Sequence, residues 1–183
     1  VTDQKGKKSK VTAASIILAS GSRPINIPSV PWNGTTIIGS SGALELTEVP
    51  KSLAIIGAGV IGLELGSVWS RLGSKVEIFE AEEELLPMLD KDVSRVIERE
   101  FNNQNLNINL GCQVEGSKKS RKGVTLEINI GGKLQKKDFD KVIVAVGRRP
   151  FTENLLGKSC GLELDEKGFI TVDEFCRTKL ENV

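Results

Sequence analysis

Apolar residues in the middle of the chain alternate between short continuous runs and longer stretches with helical spacing. Leu53 to Ile56 is a continuous run that ends at a glycine, which is typical of a strand buried on both faces. Ile61 to Leu72 repeats apolar residues at helical spacing, Gly73 closes that helix, and Lys75 to Glu80 is the next predicted strand. Because strands and helices alternate in this way, the sequence predicts a parallel sheet with right-handed crossovers.

The pattern that follows predicts a second helix and then an interruption of the parallel sheet. Asp90 is a candidate N-cap for a helix with one apolar face, and Leu106 to Leu110 is the third predicted parallel strand. Cys112 to Phe139 contains strict alternation of apolar and polar residues beside a Gly-Gly turn, which is typical of antiparallel strands with one buried face. Val142 to Val146 is again a continuous apolar run, so we predict that it returns to the parallel sheet.

The segment before this region has a different character. Val11 to Leu18 is predicted to be a strand that leads into a turn from Ala19 to Pro24. Prolines and glycines between Pro28 and Gly39 then indicate an irregular connection between domains. The predicted fold class is therefore α/β: a Rossmann-like domain with a parallel sheet and helices, plus an antiparallel three-stranded meander.

Composition and charge exclude several classes of function. The chain has 183 residues, 39% of them apolar and 27% charged, which is ordinary for a soluble, intracellular α/β protein with one substantial core. Its formal net charge of +1 provides no basic field for nucleic acid, and no apolar stretch approaches the roughly 18 residues of a membrane span. We therefore expect neither nucleic acid nor a membrane as a partner.

Few residues of this chain are suited to bond-breaking chemistry. There is no His, so an imidazole base that works near neutral pH has to come from elsewhere. Cys112, Cys160 and Cys176 are an odd number at wide spacings, which fits neither a zinc site, nor a disulfide framework, nor a close redox pair. We therefore predict buried or incidental thiols, no catalytic residue and no metal ligand.

A glycine-rich turn lies between the first buried strand and the first helix. Gly57 to Gly62 fits the pattern G-x-G-x-x-G, which by itself is weak evidence because glycine turns are common. Its position gives each glycine a physical role: Gly57 permits the tight turn, Gly59 lets a pyrophosphate approach the backbone, and Gly62 lets helix and strand pack closely. Since a helix N-terminus also presents backbone N–H groups to phosphates, the turn predicts a dinucleotide site.

Two carboxylates near this turn are candidate ligand contacts. Glu80 ends the second predicted strand, where a carboxylate can accept both hydroxyl protons of an adenine ribose, which favours NAD over NADP. A 2′-phosphate would meet Glu80 and the run from Glu82 to Glu84, so like-charge repulsion is expected to penalise NADP. Glu64 is expected in the first turn of the helix, where the helix dipole stabilises any carboxylate. The simpler alternatives are a structural turn and an exposed carboxylate at a strand end.

Three segments carry a resemblance to a known family. They are Ile17 to Ser22, Gly57 to Trp69, and Val146 to Leu155, the last of which contains Gly-Arg-Arg-Pro-Phe-Thr. Together they resemble the dihydrolipoamide dehydrogenases, flavoenzymes of the pyridine nucleotide-disulfide oxidoreductase family, over essentially the whole chain. Ser20 is a mild departure from the Thr that is usual there, since Ser keeps the hydroxyl group.

The resemblance implies what the parent enzyme does. Members of the family combine an FAD domain, an NAD domain inserted into it and a dimerisation domain, and they reoxidise dihydrolipoyl groups of 2-oxo acid dehydrogenase complexes with NAD+. The expected partners are therefore NAD+/NADH, the lipoyl domains of those complexes and a second copy of the parent chain. The expected location is the bacterial cytoplasm or the mitochondrial matrix.

The resemblance also implies which residues bind the cofactors. Glu64 is implied to lie near the nicotinamide, Val114 to border the adenine, and Gly147 to contact the nicotinamide side through its backbone. The residues implied to contact NAD are Gly57, Ala58, Gly59, Val60, Ile61, Gly62, Leu63, Glu64, Glu80, Val114 and Gly147. Ser20, Gly21 and Ser22 are implied to belong to a crossover that contacts FAD.

By the same resemblance, the chain divides into three parts. Residues 1–41 would be a partial FAD-domain segment with a linker, residues 42–147 the NAD-binding domain, and residues 148–183 the returning FAD-domain segment. The redox-active Cys pair, the His–Glu base and the FAD glycine motif of the family have no counterpart here, so we expect this piece alone to be inactive and not to retain FAD. The apolar residues expected to be poorly covered are Ile16, Leu18, Phe169 and Ile170.

Two rival interpretations remain open. A sister flavin disulfide reductase, of the mercuric reductase or NADH oxidase type, would share the nucleotide site and differ in its Cys regions. A non-catalytic NAD-binding module would use the same residues without any chemistry.

Overall fold

The computed structural model describes residues 1–104, 106–157 and 160–183. The strands are β1 (Ser22–Pro24), β2 (Ile37–Gly39), β3 (Ser52–Ile56), β4 (Lys75–Phe79), β5 (Asn107–Asn109), β6 (Cys112–Lys119), β7 (Val124–Ile130), β8 (Lys133–Phe139), β9 (Lys141–Val144) and β10 (Arg148–Pro150). The helices are α1 (Ser40–Leu44), α2 (Val60–Arg71) and α3 (Lys91–Asn103). These elements belong to two compact units, one formed by Val1–Arg23 with Arg149–Val183 and the other by Pro24–Arg148.

The larger unit is built on a five-stranded parallel sheet in the order β2-β9-β3-β4-β5. β3 lies at its centre, and Leu53, Ala54 and Ile55 are completely buried, as predicted for a strand covered on both faces. β9 pairs with β3 on the side opposite to β4, which confirms that the apolar run after the meander returns to the parallel sheet.

Different layers cover the two faces of this sheet, because successive strand residues point to opposite sides. On one face the sheet packs against helix α2; the main buried residues there are Leu53, Ile55, Ile78, Ile143, Leu63, Leu65 and Trp69. On the other face it packs against the antiparallel sheet β6-β7-β8; the main buried residues there are Ala54, Ile56, Phe79, Val142, Val124, Leu126, Ile128 and Phe139. The unit is therefore a three-layer α/β structure, which confirms the predicted fold class.

The predicted helix and hairpin signals also have their expected geometry. Asp90 caps α3, and its carboxylate accepts a hydrogen bond from the Asp92 N–H (2.9 Å). Gly131 and Gly132 both have positive φ in the turn between β7 and β8. The apolar face of α3 is only partly covered, however, since Val93 and Val96 are about half exposed.

The segment before the glycine turn contributes more to the larger unit than the sequence predicted. Ile37–Gly39 forms the edge strand β2, paired in parallel with β9 through Ile37 and Val142. The compact unit accordingly begins at Pro24, whereas the resemblance implied an NAD-binding domain over residues 42–147, a division that stays a prediction. A strand of three residues among prolines and glycines carries too short an apolar pattern to be recognised.

In the smaller unit, the prediction of a strand over Val11 to Leu18 is wrong. Residues 11–18 form no strand; the Ile16 N–H donates to the Asn182 carbonyl oxygen (2.8 Å), and Ile17 is 91% exposed. An apolar run becomes a strand only where a neighbouring strand pairs with it. Ile16 and Phe169 are exposed, as expected, whereas Leu18 and Ile170 are partly buried.

Short pairings order the rest of the smaller unit. β1 and β10 form a two-stranded sheet, and isolated bridges join Thr2 to Lys8 and Leu164 to Ile170. None of the helices in the described residues is long and apolar enough to cross a membrane.

Candidate functional site

Three adjacent strands of the parallel sheet end at the same edge. β3 is followed by Gly57, β4 by Glu80, and β9 by Ala145. Backbone hydrogen bonds hold these ends together: the Gly57 N–H donates to the Phe79 carbonyl oxygen, and the Ala145 N–H to that of Ile56, both at 2.8 Å. β3 lies where the strand order reverses, since the chain proceeds to β4 on one side and returns as β9 on the other. In open α/β sheets a crevice at such a position binds ligands.

The glycine turn that follows β3 has the steric features predicted from its sequence. Gly57 has φ of +102°, and a Cβ built there would lie 2.6 Å from the Ala145 carbonyl oxygen. A Cβ on Gly62 would lie 2.0 Å from the Gly57 carbonyl oxygen, so helix and strand approach as closely as only a glycine permits. A Cβ on Gly59 would have no atom within 4 Å. The turn is therefore packed at Gly57 and Gly62 and open at Gly59.

Helix α2 begins directly after this open position. Gly59 is its extended N-cap, and the Leu63 N–H donates to the Gly59 carbonyl oxygen (3.0 Å). The prediction that Glu64 lies in the first turn is wrong, because the helix begins at Val60 and its first turn contains no acidic residue. Glu64 is exposed and lines a separate groove of about 820 Å³ with residues such as Leu44 and Phe101.

The Glu80 carboxylate connects the two loops at the sheet edge. Its Oε2 accepts a hydrogen bond from the Ala58 N–H (2.7 Å), and its Oε1 accepts one from the Glu82 N–H (3.0 Å). Glu80 is half-buried, whereas Glu82 and the two glutamates that follow it are exposed. A carboxylate is therefore fixed beside the glycine turn, and further acidic side chains follow it toward solvent.

A cleft of about 740 Å³ opens above these strand ends. The predicted site residues that line it are Gly57, Gly59, Val60, Ile61, Glu80, Val114 and Gly147. Ala58 and Leu63 are buried, with 2% and 3% of their surface exposed, so they support the turn from within. The volume is within the range of about 300–1,000 Å³ that is typical of small-molecule sites. The structure thus brings seven of the eleven predicted NAD contacts to one cleft, and Glu64 to a separate groove.

Several residues that line the cleft were not predicted. They are Ile27, Pro28, Ser29, Ile56, Phe79, Ala81, Met88, Cys112, Gln113, Ala145 and Val146. Ser29 is held against the meander, since its hydroxyl donates to the Val114 carbonyl oxygen (3.2 Å) and its own carbonyl oxygen accepts from the Ser117 hydroxyl (3.3 Å). The sequence offers no signal for this contact beyond the turn-forming Pro28.

The Cys112 thiol lies in the wall of the cleft but is not reactive in character. Only 3% of the residue is exposed, and its Sγ donates to the Leu110 carbonyl oxygen (3.3 Å). Burial raises the pKa of this thiol, and the nearby Lys137 charge opposes that effect. Because the thiolate is the nucleophilic form, Cys112 behaves as a buried structural thiol near neutral pH.

The predicted flavin-contacting residues belong to the smaller unit. Gly21 has φ of +76°, and its carbonyl oxygen accepts from the Phe151 N–H (2.9 Å). The Arg23 guanidinium stacks 3.5 Å from the centre of the Phe151 ring and pairs with Glu153 (3.4 Å). The segment that contains Ser20, Gly21 and Ser22 therefore contacts Phe151 of the same unit, which is distant in sequence.

Known proteins resemble this chain in sequence. The sequence model of the family described as "Pyridine nucleotide-disulphide oxidoreductase" matches residues 1–183. "Dihydrolipoyl dehydrogenase 3" of Pseudomonas aeruginosa is 42% identical over 167 residues, covering 90% of this chain and 36% of that protein. "Dihydrolipoamide dehydrogenase" of Chaetomium thermophilum is 39% identical over 181 residues, covering 97% of this chain and 36% of that protein. The chain thus spans about a third of the length of these relatives.

Solved structures of a flavoprotein disulfide reductase and of an NADPH oxidase share the fold. The Cu(II) complex of the HOCl-induced flavoprotein disulfide reductase RclA from Escherichia coli matches with a TM-score of 0.79 at 30% identity, covering 92% of this chain and 38% of that one. An engineered water-forming NADPH oxidase bound to NADPH matches with a TM-score of 0.76 at 25% identity, covering 94% of this chain and 38% of that one.

Proposed function

Because the chain belongs to the pyridine nucleotide-disulphide oxidoreductase family, we propose that it is the NAD-binding portion of a dihydrolipoyl dehydrogenase. The observation that carries the proposal is the Glu80 carboxylate, fixed beside an open glycine turn at the carboxyl ends of three parallel strands. The 42% sequence identity of this chain to a dihydrolipoyl dehydrogenase supports the proposed parent enzyme.

The residues of the cleft would divide the work of holding NAD. The open side of Gly59 admits the pyrophosphate to the backbone at the start of α2, where the helix dipole favours negative charge. Glu80 accepts the hydroxyl protons of the adenine ribose, and Val114 borders the adenine. Gly147 contacts the nicotinamide side through its backbone. When bound, the nicotinamide supplies hydride transfer, and these residues only position and orient it.

Glu64 would act at the nicotinamide end, but its exposed side chain lines a different groove in this structure. Its participation therefore requires that the nicotinamide extend from the cleft over the start of α2. Ser20, Gly21 and Ser22 would contact FAD in the parent enzyme. We propose that this chain alone does not retain FAD, since residues 11–18 form no strand beside that segment.

Charge at the adenine ribose would make the site selective for NAD. Glu80 and the exposed Glu82 repel a 2′-phosphate. The engineered NADPH oxidase carries five substitutions. In chain order they are Gly to Ala, Asp to Ala, Ala to Arg, Met to Ser and Pro to Arg. The separations between those positions equal the separations between Gly62, Glu80, Ala81, Glu82 and Pro87 in this chain. The coincidence supports Glu80 and Ala81 as determinants of nucleotide choice.

In the parent enzyme, the proposed partners are lipoyl domains of 2-oxo acid dehydrogenase complexes and a second copy of the chain. A sister flavin disulfide reductase is the second candidate, because RclA is 30% identical over 92% of this chain. The Cys regions of the parent gene distinguish the two. A module that binds NAD without chemistry would share the cleft, and the activity of the parent chain with dihydrolipoamide separates it from both enzymes.

Calorimetric titration of the 183-residue chain with NADH and with NADPH tests the nucleotide assignment, after its visible absorption has been recorded for flavin. We expect NADH to bind and NADPH to bind at least about tenfold more weakly, the effect of roughly 1.4 kcal/mol of repulsion. Equal binding of both nucleotides would contradict the ribose assignment. A folded, monodisperse sample that binds neither would contradict the proposal for this chain.

Substitution of Glu80 by Arg should reverse the charge at the ribose. We expect Glu80→Arg to weaken NADH binding by about tenfold or more and to strengthen NADPH binding, because the ribose hydroxyls lose an acceptor and a 2′-phosphate gains a cation. The matched control is Glu83→Arg, which makes the same charge change at an exposed position of the same acidic run. If both variants shift selectivity equally, net charge rather than the Glu80 contact determines the choice.

A further inference from the structure

The Glu80 carboxylate has two backbone partners in addition to any ligand. Ala58, which donates to Oε2, is the middle residue between the two glycines at the start of the turn. Glu82, which donates to Oε1, belongs to the loop after β4. The carboxylate therefore links the turn after β3 with the loop after β4, beyond the last residues of the β3–β4 pairing.

The hydrogen-bonding capacity of a carboxylate allows this link to persist when a nucleotide binds. Each of its two oxygens offers about two acceptor positions. The two backbone N–H groups occupy one position on each oxygen. One acceptor position is left on each oxygen, so the carboxylate can still accept hydrogen bonds from both hydroxyl groups of an adenine ribose. Neither backbone bond has to break for the ribose to be accepted.

The glycine turn needs a contact from outside to hold its conformation. The glycines that give the turn its shape have no side chains that could hold it, and a Cβ on Gly59 would meet only open space. Glycine-rich backbone loses the most conformational freedom on ordering. The short Glu80–Ala58 bond, at 2.7 Å, has an ionised acceptor and so belongs to the stronger class of hydrogen bonds.

We propose that Glu80 is a positioning residue that fixes the phosphate-binding glycine turn before the nucleotide arrives, in addition to its proposed contact with the ribose. The inference rests on the proposed nucleotide site. The two hydrogen bonds of Glu80 are local contacts. Their loss should therefore affect the Ala58 and Glu82 N–H groups and leave the stability of the whole sheet unchanged. Preorganisation of this kind reduces the entropy lost on binding.

Amide hydrogen exchange of the full 183-residue chain without nucleotide tests this role, with Glu80→Ala and Glu80→Gln as variants. Glu80→Ala removes both acceptors, so exchange at Ala58 and at Glu82 should accelerate by about tenfold or more. Glu80→Gln keeps a single acceptor oxygen and should accelerate exchange at one of the two amides only. Glu83→Ala is the matched control and should change neither.

The outcomes are distinct. Local acceleration at these two amides, with unchanged exchange in β3 and β4, is the expected result. Unchanged exchange at Ala58 in Glu80→Ala would overturn the inference, and so would uniform acceleration throughout the sheet, since that is a loss of global stability. Titration of the unsubstituted chain with NADH reports separately on the nucleotide site, so the failure of one idea is distinguishable from the failure of the other.

Discussion

Gly59 and Gly62 belong to one short turn, yet a methyl group would meet different surroundings at each position. At Gly62 it would collide with backbone atoms of Gly57, whereas at Gly59 it would project into open space. The backbone of Gly59 has φ of −69°, which any residue adopts. Packing therefore constrains Gly62 in the free protein, and only a ligand would constrain Gly59.

Replacement of each glycine by Ala should separate folding from binding. We expect Gly59→Ala to change the free energy of unfolding by less than about 0.5 kcal/mol and to weaken NADH binding, because the methyl group occupies the approach to the backbone. We expect Gly62→Ala to cost about 1–3 kcal/mol, since helix α2 has to shift away from β3. Denaturant unfolding and calorimetric titration measure the two quantities. Unimpaired NADH binding by Gly59→Ala would contradict the assigned pyrophosphate position.

The cysteines differ in accessibility and should differ in reactivity. Cys112 is buried with a raised thiol pKa, whereas Cys176 is exposed. We expect a maleimide to label Cys176 at least about tenfold faster than Cys112 at neutral pH, because Cys176 is exposed and the raised pKa of the buried Cys112 thiol lowers the thiolate fraction of Cys112. Mass spectrometry of the labelled chain locates the sites and separates them from the partly exposed Cys160, and Cys176→Ser is the control that removes the reaction at that position. Rapid labelling of Cys112 in the folded protein would contradict its burial.

Among the elements, those with a long periodic pattern were predictable and those defined by their neighbours were not. The alternation in β7 and the continuous apolar run of β3 each specified strand type and burial, because one side-chain period corresponds to one backbone geometry. The run from Val11 to Leu18 has an equally clear pattern but forms no strand, since a pattern does not supply a pairing partner. β2 was missed for the opposite reason: its partner β9 defines it.

The candidate site follows the same rule. The positions of the glycine turn and of Glu80 at the sheet edge were predictable, because they depend on local backbone geometry and on the end of a strand. The segment Ile27 to Ser29 was not, since it reaches the cleft only by packing on the meander. Glu64 was placed in the wrong turn because the sequence does not show at which glycine the helix begins.

The meander should contribute to stability through one face only. Leu126 is completely buried against the parallel sheet, whereas its neighbour Thr125 is partly exposed. We expect Leu126→Ala to lower the free energy of unfolding by about 2–5 kcal/mol. Thr125→Ser keeps the hydroxyl group that donates to the Asp138 carboxylate, so it should change that free energy by less than about 1 kcal/mol. Urea denaturation followed by circular dichroism measures both. Equal costs for the two substitutions would contradict the one-sided burial of β7.

At the scale of the whole molecule, the two compact units have unequal means of stabilisation. The unit from Pro24 to Arg148 contains both core clusters. The unit formed by Val1–Arg23 with Arg149–Val183 has short pairings and leaves Ile17, Phe169 and Phe175 more than half exposed. Regions with few buried apolar contacts open at lower free-energy cost.

Hydrogen exchange across the chain should therefore fall into two classes. We expect amides of the smaller unit to exchange at least about a hundredfold faster than those of β3, β4 and β9, since even a 3 kcal/mol difference in opening free energy produces that ratio. Addition of NADH should slow exchange in the larger unit alone. Uniform protection of both units would show that they open together.

The two tryptophans, Trp32 and Trp69, both belong to the larger unit, where they lie on opposite faces of the parallel sheet, and the chain has no tyrosine. Intrinsic fluorescence consequently reports on the layers around that sheet and is silent about residues 1–23 and 149–183. An emission change during denaturation would mark the loss of the layers around the parallel sheet, while opening of the other unit would pass without a signal. The natural fluorophores of this protein thus make it a selective optical reporter of the larger of its two units.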